Sequence, residues 1–449
     1  SDDGDESGKD SGQSQTDDTD DGESADSGEG EQQTSDGQNN LGYDDYKEGV
    51  GQAGSTQNAF EQGINNLRDG SSKSYEYHTI PTMKIENCVI DYKEVASIWE
   101  SFEIKLSEGN HYERYTEKKN ESKVECHEFL NRTKSTVAQM VQQFQMKQAA
   151  DADKRTEIAK TGVLDTVNMI NYRWSEDIFV KNEVHADGKN HGIVMYLDWS
   201  GSMCGIIKDT VEQLVILTQF CQKVNIPFDV YAFSSKNHPS SREQDDAGNS
   251  INHQHNEHDD KSVMQPHGFS LIQFLSSDMK SNEYKQAVQQ LYYLGQSSSY
   301  YSGGYSYPSE FGMGCTPLNE AIMCALQQVP AFQAKHGVQI VNTVFLTDGD
   351  GHSMGAGRGW GYGKSIVHDP KTRKDYEVSK DESTAETNVY LRILRERTGT
   401  NLIGIRLYEG KIQRMRYRHF TDETLPKAIK SWKQHNFIAV DDPGYDKLF

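Results

Sequence analysis

Five apolar residues, Ile193–Leu197, run without a break, and Ile207, Val211, Leu214, Val215, Thr218 and Cys221 then recur mostly at steps of three and four. That pattern is a buried strand followed by an amphipathic helix. The alternation continues along the chain. Strands are expected over Phe228–Phe233, Ile340–Leu346 and Asn401–Leu407, and helices over Ser281–Leu294, Leu318–Gln328, Ala385–Arg397 and Leu425–Lys433. Ile366–Val378 reads as a hairpin around Asp369-Pro370-Lys371-Thr372, and Ile178–Val184 and Gly192–Asp198 read as strands joined by a hairpin-like turn. Continuous apolar strands between amphipathic helices imply an α/β fold, a doubly wound and mostly parallel sheet covered on both faces. It is placed at 176–440, with 441–449 as a C-terminal tail.

Upstream the pattern changes. Ile85–Ile90 alternates weakly, whereas Val95, Ile98, Trp99 and Phe102 sit at helical spacing. After a polar stretch, His111–Lys123, the chain from Lys123 to Lys160 lacks Pro and Gly and repeats Phe129, Val137, Met140, Val141 and Phe144 at helical steps. A helix of that length exceeds the globular average, so part of it should pack on a partner element. Gly162 ends it, and Val163–Tyr172 makes another short helix. Residues 80–175 are thus expected to be a mainly helical region. Residues 41–79 stay polar, with one short helix around Ala59–Leu67.

Charge is uneven along the chain. Of the formal −22 over 449 residues, residues 1–40 hold ten Asp, four Glu and one Lys, with Ala25 their only apolar side chain. Such a tract has no surface to bury against the entropy of ordering. Residues 1–79 are therefore expected to be an acidic, polar, largely disordered tail or linker. The acidic balance argues against a nucleic-acid binder that neutralises phosphates. No run of eighteen apolar residues marks a membrane span, and no basic and apolar leader opens the chain. Six cysteines with no C-x-x-C pair read as reduced thiols of a cytoplasmic protein. The start at Ser1, inside the acidic tract, reads as a processed end or as a fragment that begins within a linker.

In open parallel sheets, ligand sites form in loops beyond the carboxyl ends of the strands. Asp198-Trp199-Ser200-Gly201-Ser202-Met203 follows one strand, Thr347-Asp348-Gly349-Asp350-Gly351 follows another, and Gly314-Cys315-Thr316-Pro317 precedes a helix. Carboxylates and hydroxyls thus meet at one rim, all hard oxygen donors, and this set suits Mg²⁺ or Mn²⁺.

These segments resemble the metal-ion-dependent adhesion site (MIDAS) of von Willebrand factor A-type (VWA) domains, whose fold is Rossmann-like. The resemblance covers five positions: Asp198, Ser200, Ser202, Thr316 and Asp348. It implies that Ser200, Ser202 and Thr316 offer hydroxyls to the ion. Asp198 and Asp348 would act directly or through waters, and one coordination position would remain for an acidic side chain of a client protein. Asp350 is a reserve for Asp348. A looser resemblance spans about 140–440. Met146–Thr166, with its G-x-L-D segment at Gly162–Asp165, together with the acidic tract looks like the VWA-bearing subunit of aerobic cobaltochelatase, which serves cobalamin biosynthesis. That likeness implies an AAA+ ATPase partner of the cobaltochelatase or MoxR type and a non-catalytic role for this chain. The alternative is a free-standing Mg²⁺-dependent adhesion module, of the kind large phages also encode. A hydrolase using Ser200 or Ser202 is the third reading, and the missing G-x-S-x-G elbow opposes it.

Other signals lead less far. His253, His255 and His258 form H-x-H-x-x-H, but Lys236–Lys261 around them is almost devoid of apolar residues, and 236–268 reads as an insertion loop. Gly355–Ser365 ends in Gly-Lys-Ser, yet Arg358 stands where a phosphate-binding loop needs glycine and a hairpin follows it. The tyrosine-rich tract Ser297–Tyr307 and the basic cluster Lys411–Arg418 read as surface segments.

Overall fold

Every residue of the segment Tyr196–Asp198 is buried, which makes its strand the centre of a sheet with both faces covered. The computed structural model describes residues 76–159, 182–185, 190–236, 268–298, 305–354, 365–379, 384–407, 425–435, 437–440 and 444–449, all within the compact unit Asp69–Phe449. The expected acidic tail up to residue 75, the helices near 59–67 and 163–172, the His-rich stretch, the glycine-rich run and Lys411–Arg418 lie outside the described residues.

The elements in chain order are β1 (Glu76–Thr79), α1 (Ile85–Cys88), β2 (Val89–Ile90), α2 (Tyr92–Ser107), α3 (Tyr112–Arg155), β3 (Thr156–Ala159), β4 (Asn182–His185) and β5 (His191–Asp198). Next come α4 (Ile207–Lys223), β6 (Phe228–Ser234), β7 (Ser270–Ser276), α5 (Ser281–Ser297), α6 (Leu318–His336) and β8 (Ile340–Thr347). The hairpin β9 (Ser365–Asp369) and β10 (Lys374–Val378) follows, then α7 (Ala385–Thr398), β11 (Asn401–Arg406), α8 (Leu425–His435) and β12 (Lys447–Leu448). Seven strands form one sheet in the order β12-β11-β8-β5-β6-β7-β2. The pairings are parallel except β6 with β7, so the sheet is mostly parallel and the fold is mixed α/β.

Side chains alternate across a strand, and β5 divides the core accordingly. Val194 and Tyr196 join a cluster with α6, α7 and the β9–β10 hairpin, while Met195 and Leu197 join a cluster with α2, α3, α4 and α5. The Tyr196 ring stacks between Tyr231 of β6 and Phe345 of β8, with centroids 5.6 and 4.9 Å away, and its hydroxyl donates to Gln328 at 2.9 Å. No helix among the described residues is long and apolar enough to cross a membrane.

Several expectations change. The polar stretch 111–123 is not a break: α3 starts at Tyr112, because good helix formers without Gly or Pro continue the helix and Tyr115 is buried beneath it. Its end comes earlier than Lys160, at Arg155, where Thr156–Ala159 turns to strand and pairs antiparallel with β4. The hairpin expected between Ile178–Val184 and Gly192–Asp198 is therefore replaced: β4 pairs with β3, and β5 pairs with β6 and β8. α6 runs through Pro330 and stops at Gly337, which takes the left-handed φ of 61° that glycine tolerates. Strand β7 is additional. Val89–Ile90, at the end of the weakly alternating Ile85–Ile90, and Lys447–Leu448, from the expected tail, supply the two edges of the main sheet. Glu76–Thr79 pairs parallel with β9, so order begins before Ile80.

Candidate metal centre

The site is built where β5 and β8 end side by side. Asp198 closes β5, Ser200 remains extended, and a short 3₁₀ turn, Gly201–Gly205, leads into α4. The fully buried Trp199 anchors this segment by donating its indole N–H to the carbonyl of Phe311 at 2.8 Å. The loop before α6 is stitched to the same stretch. Gly201 N donates to Gly314 O at 2.9 Å, and Gly314 N donates to Trp199 O at 3.2 Å. Only glycine permits that approach, since a Cβ on Gly314 would stand 2.4 Å from Ser235 Oγ. Ser235 in turn accepts from Cys315 N at 2.7 Å. These bonds bring Thr316 to the rim.

Ser200, Ser202 and Asp348 are joined by hydrogen bonds, and Asp198 lies beside Ser200. Ser200 Oγ and Ser202 Oγ are 3.0 Å apart, and Ser202 Oγ donates to Asp348 Oδ1 at 2.9 Å. Thr347 Oγ1 donates to Asp198 Oδ2 at 2.6 Å and accepts from Gly349 N at 3.1 Å. Thr316 is nearly buried and its Oγ1 faces Gly349, 3.9 Å from where a Cβ there would lie. Asp350, the reserve acid, is instead held in an ion pair by Arg406.

Asp198 is fully buried, and its Oδ1 has no hydrogen-bond partner. Burial pushes its carboxyl up to about 7. Hydroxyl donation from Thr347 and the nearness of Ser200 oppose that rise, and the charge of Asp348 adds to it. A buried carboxylate oxygen without a donor, with the charge of a second acid and the Ser200 hydroxyl close by, is a defect for a metal-free core and a fit for a hard cation. Among the described residues no group of three or more His, Cys, Asp or Glu is placed to hold a metal. An ion here would rest on two carboxylates and hydroxyls.

Thr347, Gly314, Ser235 and Trp199 escaped the sequence reading as positioning residues. Thr347 and Trp199 lie inside the motifs themselves, but nothing in a linear pattern distinguishes a side chain that holds a ligand from one that binds. Ser235 is 81 residues from Thr316 and carries no local signal at all.

No protein-family model matches the chain, and no curated protein matches it. Among solved structures it is similar to the PilB minor pilin from Streptococcus sanguinis, at 14% identity and a TM-score of 0.25, over 50% of this chain and 51% of that one. The chain thus spans about half the length of that structure, and so distant a likeness carries no argument about fold or function.

Proposed function

We propose that the chain is a VWA-type protein with a doubly wound α/β domain, whose rim binds Mg²⁺ or Mn²⁺ and through it an acidic side chain of a client protein. The observation that carries this reading is a buried, unpartnered Asp198 Oδ1 beside the hydrogen-bonded chain Ser200–Ser202–Asp348, with Thr316 on the loop stitched to the same strand end. Asp198 and Asp348 supply negative charge; Ser200, Ser202 and Thr316 supply neutral oxygens. When bound, the cation offers Lewis acidity to an incoming carboxylate. The residues of this chain hold and orient: Thr347 fixes Asp198, Ser202 fixes Asp348, and the Gly314 stitch fixes Thr316.

The reading is of binding rather than turnover, since the oxygens suit an ion and the G-x-S-x-G elbow of a serine hydrolase is missing from the sequence. Together with the sequence likeness, it supports a role as the non-catalytic component of a cobaltochelatase-like or MoxR-type complex, acting in the cytoplasm with an AAA+ ATPase. The test is co-migration of the full chain with a purified AAA+ ATPase of that type from the same genome, in Mg²⁺ and in EDTA. Mg²⁺-dependent co-migration that Asp198→Ala abolishes supports the pairing. Metal-dependent capture of acidic peptides without any ATPase association favours the free-standing adhesion module.

A further inference from the structure

We propose that a groove between α2, α3 and α5 is a second binding site, which takes an acidic, extended segment of a partner protein. The groove has a volume of about 560 Å³, within the range of specific ligand sites. Two helices form its long walls. Thr116, Asn120 and Lys123 stand at helical steps along α3, and Asn282, Lys285, Gln289 and Tyr293 along α5. At the helical rise per residue the α5 wall runs on the order of 16 Å. That is a trench, and an extended segment of about five residues fills it.

Its chemistry selects the sign of the occupant. Three ammonium groups, Lys119, Lys123 and Lys285, line it against one carboxylate, Glu103. Glu103 is already satisfied, accepting from the Tyr115 hydroxyl at 2.8 Å and pairing with Lys119. Lys123 and Lys285 have no ion pair among the described residues and are exposed. Three of the acids flanking the groove on the same helices are already engaged, while Glu100 and Glu117 stand exposed beside Trp99 and Thr116. Glu121 binds Lys118 at 2.6 Å, Glu125 accepts from Gln296 at 2.5 Å, and Glu283 accepts from Lys280 N at 2.8 Å. In a chain of formal charge −22 the groove is therefore locally positive.

The remaining lining favours a peptide over a compact anion. Gln286, Gln289 and Gln290 present both donors and acceptors along the wall, which match the alternating N–H and C=O of an extended backbone. The floor is aromatic: Tyr293 meets Trp99 and Tyr115 edge-on, each at 6.0 Å. Trp99 Nε1 is buried there without a hydrogen-bond partner. Such a floor receives the aliphatic stems of Glu side chains while their carboxylates reach the lysines.

The test is fluorescence anisotropy of a fluorescein-labelled hexaglutamate peptide with the full chain at low salt, beside a hexaglutamine peptide and inorganic tripolyphosphate as competitor. We expect saturable binding of hexaglutamate only, weakened at least about tenfold by Lys123→Glu/Lys285→Glu. The pair Lys93→Glu/Lys105→Glu, exposed lysines outside the groove, should leave it unchanged, with circular dichroism confirming that both variants fold. Asp198→Ala should also leave it unchanged, which separates this site from the rim. Absent binding, or equal loss in both lysine pairs, would overturn the proposal. So would tripolyphosphate binding tighter than the peptide, which would assign the groove to small polyanions instead.

Discussion

Thr347 donates its hydroxyl to Asp198 across 2.6 Å, tying together the carboxyl ends of the adjacent strands β8 and β5. The same oxygen accepts from Gly349 N, so one side chain sets both the buried carboxylate and the loop that carries Asp348. Thr347→Val keeps the shape and removes both bonds. Leaving the buried carboxyl without its donor should cost about 1–3 kcal/mol, read by urea unfolding in EDTA. Mn²⁺ affinity should fall about ten- to hundredfold, as for groups that orient metal ligands. Unaltered affinity would show that Thr347 does not position the site.

Gly314→Ala tests the stitch that places Thr316. The new methyl meets Ser235 Oγ at 2.4 Å and Ser235 N at 3.1 Å, an overpacking worth about 1–3 kcal/mol. Ser235→Ala removes the nearer atom, so the double variant should regain part of the stability lost by Gly314→Ala. Strict additivity in thermal unfolding would contradict the contact.

Acid stability should carry the signature of Asp369, at the end of β9. Burial alone would raise its carboxyl. Hydrogen bonds from Arg397, Thr372 and Lys371 N, with the Arg397 charge, outweigh that and hold it down at about 2. A folded-state value below the unfolded one means the contribution is fully present above about 4 and is lost as pH falls toward about 2. Urea unfolding between those limits should show a steep loss in the wild type and a shallower one in Asp369→Asn. Equal slopes would rule the pair out as a source of the acid sensitivity.

The candidate site was legible because its residues are local to strand ends. Five apolar residues mark β5, and Asp198-x-Ser-x-Ser follows at once, while Thr347-Asp348-Gly349 marks the end of β8. What stayed hidden is set by partners distant in sequence. β7, Ser270–Ser276, is interrupted by Gln273 and follows a polar stretch, so its pattern is weak; pairing with β6 makes it a strand, through an irregularity at Val230/Tyr231. The sheet edges β2 and β12 have two residues each, too few for any periodicity, and exist only because β7 and β11 offer them hydrogen bonds. α6 passes Pro330 because burial of Val329 and Phe332 outweighs the lost backbone bond. The hairpin β9–β10 and helix α7 were readable, but the ion pair between Asp369 and Arg397 was not.

The C-terminal edge makes a fourth test. A Cβ on Gly404 would lie 2.7 Å from Leu448 Cδ1 and 3.0 Å from the Tyr445 ring. Gly404→Ala should destabilise by about 1–3 kcal/mol. In Leu448→Ala the same change should cost less, since its nearest clash is gone; a double-mutant cycle by urea unfolding reads the coupling. A coupling of zero would place β12 elsewhere.

The central claim, that the rim of β5 and β8 is a hard-cation site, is tested most directly by Mn²⁺ binding, followed by electron paramagnetic resonance on the wild type and Asp198→Ala. One saturable ion per wild-type chain, displaced by excess Mg²⁺ and absent in a folded Asp198→Ala, is the result expected. Stoichiometric Mn²⁺ retained by that variant, or no Mn²⁺ bound by the wild type, would contradict it.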